Sequence, residues 1–170
     1  MPNLKTVEEA RHAAESMRYA PEGTRGLGLT TRASGYCFTS NDEYIDYVNH
    51  ELLSVIMVEN KELAEHVEEL CAIPQIDVLF IGTGDMSQSM GVTGHTSDPK
   101  VREVVKRITE TALRHGKKVG IYAGSLQDVE YYTKLGIQFF GYSSEMVMIA
   151  NKFKQELKAL NEIRDQAKKG

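Results

Sequence analysis

Four short apolar runs along the chain predict the strands of a sheet. They occupy residues 53–58, 78–81, 118–124 and 137–142. Each run is too short to form a helix of its own, and polar residues or glycines bound it, which is typical of a buried strand. We therefore expect four strands at the centre of the fold.

The stretches between these runs carry apolar residues at helical spacing. Leu63, Val67 and Leu70 share one helical face and predict a helix over residues 61–70. Further helices are predicted over residues 7–20, from Asn41, from Pro99 to His115, before Gly136, and over residues 144–168. A serial βα pattern gives a parallel sheet covered by helices, either an open doubly wound sheet or part of a (β/α)8 barrel. The length favours the open sheet, because a barrel typically takes about 250 residues.

A carboxylate follows each of the first two predicted strands. Glu59 ends the first, and Asp85 lies just beyond the second, after Gly82 and Gly84. Parallel strands joined by a crossover helix end at one edge of the sheet, so we expect both carboxylates at one spot. They would repel each other without a cation between them, and oxygen ligands favour Mg²⁺ or Mn²⁺. The pattern predicts a metal pair; the alternative is that Asp85 only caps the next turn.

Two other segments carry candidate chemistry with a weaker signal. Residues 19–28 form a glycine-rich loop around Arg25, but no Gly-Lys-Ser/Thr follows it and no strand precedes it. It is therefore neither a P-loop nor a dinucleotide fingerprint, and a tight surface turn is favoured over an anion site. Residues 29–40 predict irregular structure, and residues 86–96 a short polar stretch leading into a loop. His95 is expected to be a loop residue, because no second histidine lies at ligand spacing.

Composition narrows the class of protein. The chain has 170 residues with 41% apolar and 26% charged residues, which predicts one folded domain over residues 1–170. A net charge of −4 without a basic cluster argues against a nucleic-acid partner. No apolar run has transmembrane length, and the first residues lack the apolar core of a signal peptide. Cys37 and Cys71 show no metal-ligand spacing, so we expect reduced thiols in a cytoplasmic protein.

Three segments together resemble one known family. Residues 19–28 are similar to the family segment Y-P-P-x-G-x-R-G, and Val58-Glu59 resembles the glutamate at the end of its fifth barrel strand. Residues 77–87 are similar to V-D-x-x-F-I-G-P-x-D-L-S at its sixth strand. The family is the HpcH/HpaI aldolases, metal-dependent class II pyruvate aldolases that include 4-hydroxy-2-oxoheptanedioate aldolase. The resemblance extends over essentially the whole chain.

The resemblance implies a (β/α)8 barrel of the phosphoenolpyruvate/pyruvate-binding type and a lyase activity. Glu59 and Asp85 would bind the divalent metal ion, and the carboxylate of pyruvate would also accept hydrogen bonds from the backbone N–H groups of Gly84 and Asp85. Acting as a Lewis acid, the metal would stabilise the pyruvate enolate formed when 4-hydroxy-2-oxo acids are cleaved to pyruvate and an aldehyde, or made from them. Citryl- or malyl-coenzyme A lyases of the same family are the alternative enzyme class.

The resemblance also implies that the chain is the C-terminal portion of such a barrel. Residues 1–3 match the end of the fourth strand, so roughly the first three to four strands are expected to be missing. Those strands supply a catalytic histidine and an enolate-binding arginine, so no catalytic residue is expected here, and Arg25 matches a different segment. Met57, Thr83 and Glu145 stand where relatives often carry glutamine, proline and aspartate.

An incomplete barrel has consequences for assembly. It leaves open sheet edges and an uncovered interior, so we expect a homo-oligomer or a complex with the missing N-terminal half-barrel. The chain would then be a truncated barrel, a subunit of a split barrel, or a half-barrel that self-associates. An apolar stripe on the last helix is the expected contact, and the resemblance implies helix exchange between subunits there. The alternatives to an enzyme are a non-catalytic half-barrel that binds metal and 2-oxo acid, and a half-barrel whose carboxylates only cap turns.

Overall fold

A parallel sheet of four strands in the order β1-β2-β3-β4 forms the centre of the computed structural model, which describes residues 1–168. Residues 169 and 170 of the predicted domain lie outside this range. The strands are β1 (Val55–Val58), β2 (Val78–Ile81), β3 (Lys118–Ala123) and β4 (Phe139–Tyr142). The predicted four-stranded parallel sheet is thus confirmed. β1 begins two residues later than predicted because the Ser54 N–H donates to the Asp77 carboxylate, 2.7 Å away.

Helices connect the strands and flank the sheet. They are α1 (Val7–Glu15), α2 (Asn41–His50), α3 (Lys61–Glu65), α4 (Val67–Cys71), α5 (Thr83–Ser89), α6 (Pro99–Arg114), α7 (Leu126–Lys134) and α8 (Glu145–Ala167). No helix among residues 1–168 is both long enough and apolar enough to cross a membrane.

Four predictions of secondary structure need correction. The first helix ends at Glu15 rather than Ala20, because the chain turns after Ser16 and directs Arg18 into the interior. The predicted helix 61–70 is divided at His66, whose φ of −104° and ψ of 23° interrupt the helical backbone. The segment 29–40 contains a short 3₁₀ helix, Arg32–Cys37. Asp85, expected just beyond the end of the second strand, lies in the first turn of a helix that was not predicted, α5.

The two faces of the sheet have different environments. Ile56, Val58, Leu79, Ile81 and Ile121 are fully buried in one core with residues of α1, α4 and α6. The opposite face carries Met57 and Phe80, which are half-buried, and Tyr122 and Phe139, which are 41% and 42% exposed. Phe80 and Phe139 meet edge to face with their ring centroids 6.0 Å apart. One face of the sheet is therefore a closed core and the other a partly exposed aromatic surface.

The N-terminal residues extend the sheet at the β1 edge. The Met1 nitrogen donates to the Val55 carbonyl at 2.8 Å, and the Met57 N–H donates to the Met1 carbonyl at 3.0 Å. This is the hydrogen-bond pattern of a parallel pair. The segment just after this pair therefore lies beside Glu59.

The last helix contacts little of the fold. None of the described residues Glu145–Ala167 is buried. The apolar stripe predicted on α8 is exposed, with Phe153 at 71%, Leu157 at 60% and Leu160 at 62%.

Candidate functional site

A large cavity opens at the carboxyl edge of the sheet, beside the ends of β1 and β2, and has a volume of about 1150 Å³. Both carboxylates predicted as metal ligands, Glu59 and Asp85, lie in its wall. The other lining residues come from the first seven residues of the chain, from α3 and α4 with their N-caps, and from α5: Pro2, Asn3, Lys5, Thr6, Val7, Asn60, Glu62, His66, Glu69, Gln88 and Ser89.

Glu59 directly follows β1 and is only 7% exposed. A buried carboxylate is costly unless hydrogen bonds or a cation compensate for its lost hydration. Its Oε1 accepts a hydrogen bond from the Asn3 backbone N–H. Gly82, the residue after β2, lies on the opposite side of Glu59 from Asn3, and because it has no side chain the space beside Glu59 Oε2 stays open. Glu59 is therefore held in place with one oxygen engaged.

Asp85 is exposed and lies in the first turn of α5. Gly82 occupies the N-cap position, and no side chain makes a capping bond to this helix, so Asp85 is not its cap. A carboxylate in the first turn is favoured by the helix dipole. The N–H groups of Gly84 and Asp85 belong to the first helical turn, where backbone donors have no acceptor inside the helix. These donors and the Asp85 carboxylate lie within four residues of Ile81, the last residue of β2.

A smaller cavity of about 360 Å³ borders the same helix start. Its wall includes Gly84, Asp85, Tyr122, Asp128 and Tyr132. Burial, and then the nearby Asp128 carboxylate, raise the pKa of Tyr132 above its ordinary value, so its hydroxyl keeps its proton to a higher pH than that of an exposed tyrosine. The start of α5 therefore faces two cavities, one lined by Glu59 and one by aromatic hydroxyl groups.

The donor set fits a hard divalent ion that keeps several other ligands. Among residues 1–168, no three His, Cys, Asp or Glu side chains converge on one point. Two carboxylates in a single cavity nevertheless suit Mg²⁺, which proteins often bind through one or two carboxylates together with water and substrate oxygens. Glu59 and Asp85 are the residues that would hold such an ion. His95 lies in the loop between α5 and α6, as predicted, and lines neither of the two cavities described above.

Arg25 contacts two tyrosine side chains of the fold. Its guanidinium lies over the Tyr19 ring, 5.2 Å from the centroid, and donates to the Tyr44 hydroxyl at 3.4 Å. Tyr19 and Tyr44 form a small buried cluster with Val48. These contacts favour the turn interpretation of residues 19–28 over an anion site.

The large cavity also contains polar residues that were not singled out from the sequence, among them Asn60, His66 and Gln88. Asn60 follows Glu59 and donates through Nδ2 to the Leu4 carbonyl at 2.7 Å. His66 pairs with Glu69, with Nδ1 and Oε1 2.6 Å apart. Gln88 lies one turn after Asp85. Asn60 carried the clearest signal, because it is an N-cap residue directly after a strand-end carboxylate.

Comparison with known proteins identifies similar sequences. The family model described as HpcH/HpaI aldolase/citrate lyase matches residues 1–151. The hydroxypyruvate/pyruvate aldolase of Delftia acidovorans is 31% identical over 150 residues, which cover 88% of this chain and 55% of the relative. The 5-keto-4-deoxy-D-glucarate aldolase of Shigella boydii is 30% identical over 146 residues, covering 86% and 56%. The chain thus spans about half the length of these curated relatives.

Solved structures share the architecture. An HpcH/HpaI aldolase/citrate lyase family protein from Burkholderia cenocepacia superimposes with a TM-score of 0.86 at 25% identity, over 95% of this chain and 63% of that one. The HpcH/HpaI aldolase of Desulfitobacterium hafniense gives a TM-score of 0.85 at 21% identity, over 95% and 62%, and supports the fold alone.

Proposed function

Since the chain belongs to the HpcH/HpaI aldolase/citrate lyase family, we propose that it forms the metal-binding part of a class II pyruvate aldolase, within the C-terminal portion of a (β/α)8 barrel. The observation that carries the proposal is that Glu59 and Asp85, from the ends of adjacent parallel strands, line one cavity. Two relatives are named as aldolases, and one of those names includes pyruvate. The proposed reaction joins or separates a 2-oxo acid and an aldehyde.

The residues of this chain have distinct proposed roles. Glu59 and Asp85 hold the divalent ion, Mg²⁺ or Mn²⁺, through carboxylate oxygens. When bound, such an ion polarises a carbonyl oxygen and stabilises negative charge that develops on it. The N–H groups of Gly84 and Asp85 bind the carboxylate of the 2-oxo acid, because they are unpaired donors at the positive end of α5. The smaller cavity provides room beside these two donors.

Binding of Mn²⁺ with and without pyruvate tests the proposal. We expect titration calorimetry to show Mn²⁺ binding that pyruvate strengthens, and we expect Glu59→Gln and Asp85→Asn each to abolish it. Glu62→Gln is the matched control, since it removes the same charge from the same cavity wall at an exposed position. Wild-type affinity in both Glu59→Gln and Asp85→Asn would refute the assignment of the two ligands.

A second candidate function is binding of metal and 2-oxo acid without turnover. It is supported by the described lining of the large cavity, which contains no arginine and holds its histidine, His66, in a pair with Glu69. A retro-aldol assay on the chain separates the two functions. Cleavage of a 4-hydroxy-2-oxo acid faster than with Mn²⁺ alone supports the aldolase, and pyruvate-enhanced Mn²⁺ binding without cleavage supports the binding protein.

The exposed apolar surfaces support association, with a second copy or with a segment that completes the barrel. One surface is the aromatic face of the sheet and the other is the α8 stripe containing Phe153, Leu157 and Leu160. Exposed apolar side chains that are grouped on one surface are typical of an interaction site. Light scattering after size-exclusion chromatography should show a mass above 19.0 kDa that decreases in Leu157→Glu. A monomer at all concentrations would contradict self-association.

A further inference from the structure

We infer that Asn3 and Gly82 are positioning residues that together fix the Glu59 carboxylate for its ligand, Asn3 through its backbone N–H and Gly82 through the absence of a side chain. The inference rests on the proposed function, because it takes Glu59 as a metal ligand. It concerns two residues that touch Glu59 from opposite sides and that are not themselves metal ligands.

Gly82 leaves the space that Glu59 occupies. A Cβ added at Gly82 would lie 2.7 Å from Glu59 Cβ, 3.0 Å from Glu59 Oε2 and 3.1 Å from Met57 Cε. The contact with Glu59 Cβ is the one that excludes a side chain at Gly82, because that atom can move away only if the backbone at the end of β1 moves with it. The backbone angles of Gly82, φ −89° and ψ 86°, do not themselves require glycine. Glycine is therefore needed here for space rather than for conformation.

Asn3 supplies the hydrogen bond that orients the carboxylate. Its N–H donates to Glu59 Oε1, and its φ of +59° lies in the left-handed region, which asparagine tolerates better than most residues. Hydrogen bonds on both sides hold the segment in place. Met1 pairs with the β1 backbone, and the Leu4 carbonyl accepts from Asn60 Nδ2 at 2.7 Å. The left-handed turn at Asn3 is what aims this one N–H at Glu59.

The two contacts divide the oxygens of Glu59. Oε1 is engaged by Asn3, and Oε2 lies on the side where Gly82 keeps space open. A carboxylate with one oxygen anchored by a backbone donor presents the other in a fixed direction, so less rotamer freedom is lost when a cation binds. We therefore expect the metal affinity of the chain to depend on two residues outside the ligand set.

Mn²⁺ affinity, measured by titration calorimetry on the full chain, tests the inference with two pairs of variants. Gly82→Ala adds the clashing methyl group, and Gly26→Ala is its control, because a Cβ at Gly26 meets nothing within 4 Å. Asn3→Val disfavours the left-handed backbone, whereas Asn3→Gly keeps it accessible and removes only the side chain. Removal of partners that orient a metal ligand typically weakens affinity by about 10–100-fold.

We expect Gly82→Ala and Asn3→Val each to raise the Kd for Mn²⁺ at least about tenfold, with Gly26→Ala and Asn3→Gly at the wild-type value. Circular dichroism confirms that each variant is folded; if Gly82→Ala unfolds, the Asn3 pair decides alone. Wild-type affinity in folded Gly82→Ala and Asn3→Val overturns the inference while the proposed function stands. Absence of Mn²⁺ binding in the wild-type chain overturns both. A loss of affinity in Asn3→Gly equal to that in Asn3→Val would place the effect in the side chain and also overturn it.

Discussion

Arg18 is a buried cation that joins three segments at the end of the sheet opposite the cavity. Its side chain is 7% exposed. Nη1 donates to the Val48 carbonyl at 2.7 Å and to the Leu52 carbonyl, and Nη2 donates to Asp77 Oδ2 at 2.9 Å. Val48 lies in the last turn of α2, where carbonyl groups have no N–H partner inside the helix. Arg18→Met keeps most of the aliphatic volume and removes all three hydrogen bonds.

The structure sets the size of the effect. Loss of Arg18 leaves two carbonyls without a donor, and each unsatisfied buried polar group costs about 1–3 kcal/mol. The Asp77 side chain is 37% exposed and still accepts from the Ser54 N–H at 2.7 Å. In the variant the Asp77 carboxylate is therefore partly hydrated, so the full destabilisation of about 3–5 kcal/mol for breaking a buried ion pair does not apply. We expect Arg18→Met to lower the free energy of unfolding by about 3 kcal/mol.

Urea unfolding followed by far-ultraviolet circular dichroism measures this change, at one protein concentration throughout because association would shift the midpoint. Arg25→Met is the matched control. Its guanidinium makes one hydrogen bond of 3.4 Å and lies over the Tyr19 ring, so it should cost less than about 1 kcal/mol. A destabilisation by Arg18→Met no larger than that of Arg25→Met would refute the reasoning.

Three further predictions follow from buried or crowded groups. Exposed Cys37 should react with a thiol reagent at pH 8 in the folded protein, whereas Cys71, whose pKa is raised by burial, should react only on unfolding; equal rates would contradict this. Burial and then Asp128 raise the pKa of Tyr132 above 10.0, so the folded state holds this proton more tightly than the unfolded state. The contribution of this proton to the free energy of unfolding is therefore complete below about pH 10 and is lost as the pH rises further. Tyr132→Phe should reduce the fall in the free energy of unfolding above about pH 10, measured by urea unfolding. Gly120→Ala should lower the free energy of unfolding by about 1–3 kcal/mol, because its Cβ would lie 2.6 Å from atoms of both Phe80 and Phe139, whereas Gly26→Ala should have little effect.

Much of the sheet could be predicted from the sequence because its strands are nearly continuous apolar runs. The run 78–81 became β2 without any change of bounds. β1 is shorter than predicted because the Asp77 side chain accepts from the Ser54 N–H. The parallel order followed from the helical spacing between the runs, since adjacent parallel strands need a crossover.

Helix ends were harder to predict because distant contacts decide them. Helical spacing continues past Ser16, but the chain turns there and Arg18 reaches the carbonyls of Val48 and Leu52. α5 was not predicted, since its seven residues include a glycine and several small polar residues with weak helix propensity. It is stabilised by full burial of Met86 and by the Ser87 hydroxyl, which donates to the Gly84 carbonyl at 2.6 Å.

In the candidate site, too, residues that follow a local sequence pattern could be predicted, whereas a residue placed by a long-range contact could not. Glu59 and Asp85 could be paired from the sequence, because parallel strands end at one edge. Asn3 could not, because its hydrogen bond to Glu59 joins residues 56 positions apart. Its left-handed backbone is also a property of the folded segment rather than of any sequence period.

Gly82 links the two carboxylates more closely than the strand argument alone requires. Its N–H donates to the Val58 carbonyl at 3.1 Å and continues the β1–β2 ladder by one residue. It is also the N-cap of α5, whose first turn carries Asp85, and it lies against the Cβ of Glu59. A side chain at this position would therefore press on Glu59 directly and could move Asp85 only through the start of α5. If Gly82→Ala weakens Mn²⁺ binding, combining it with Asp85→Glu, which lengthens the exposed ligand, should leave the Glu59 defect uncorrected. Recovery of affinity in that double variant would place the effect of Gly82 on α5 instead.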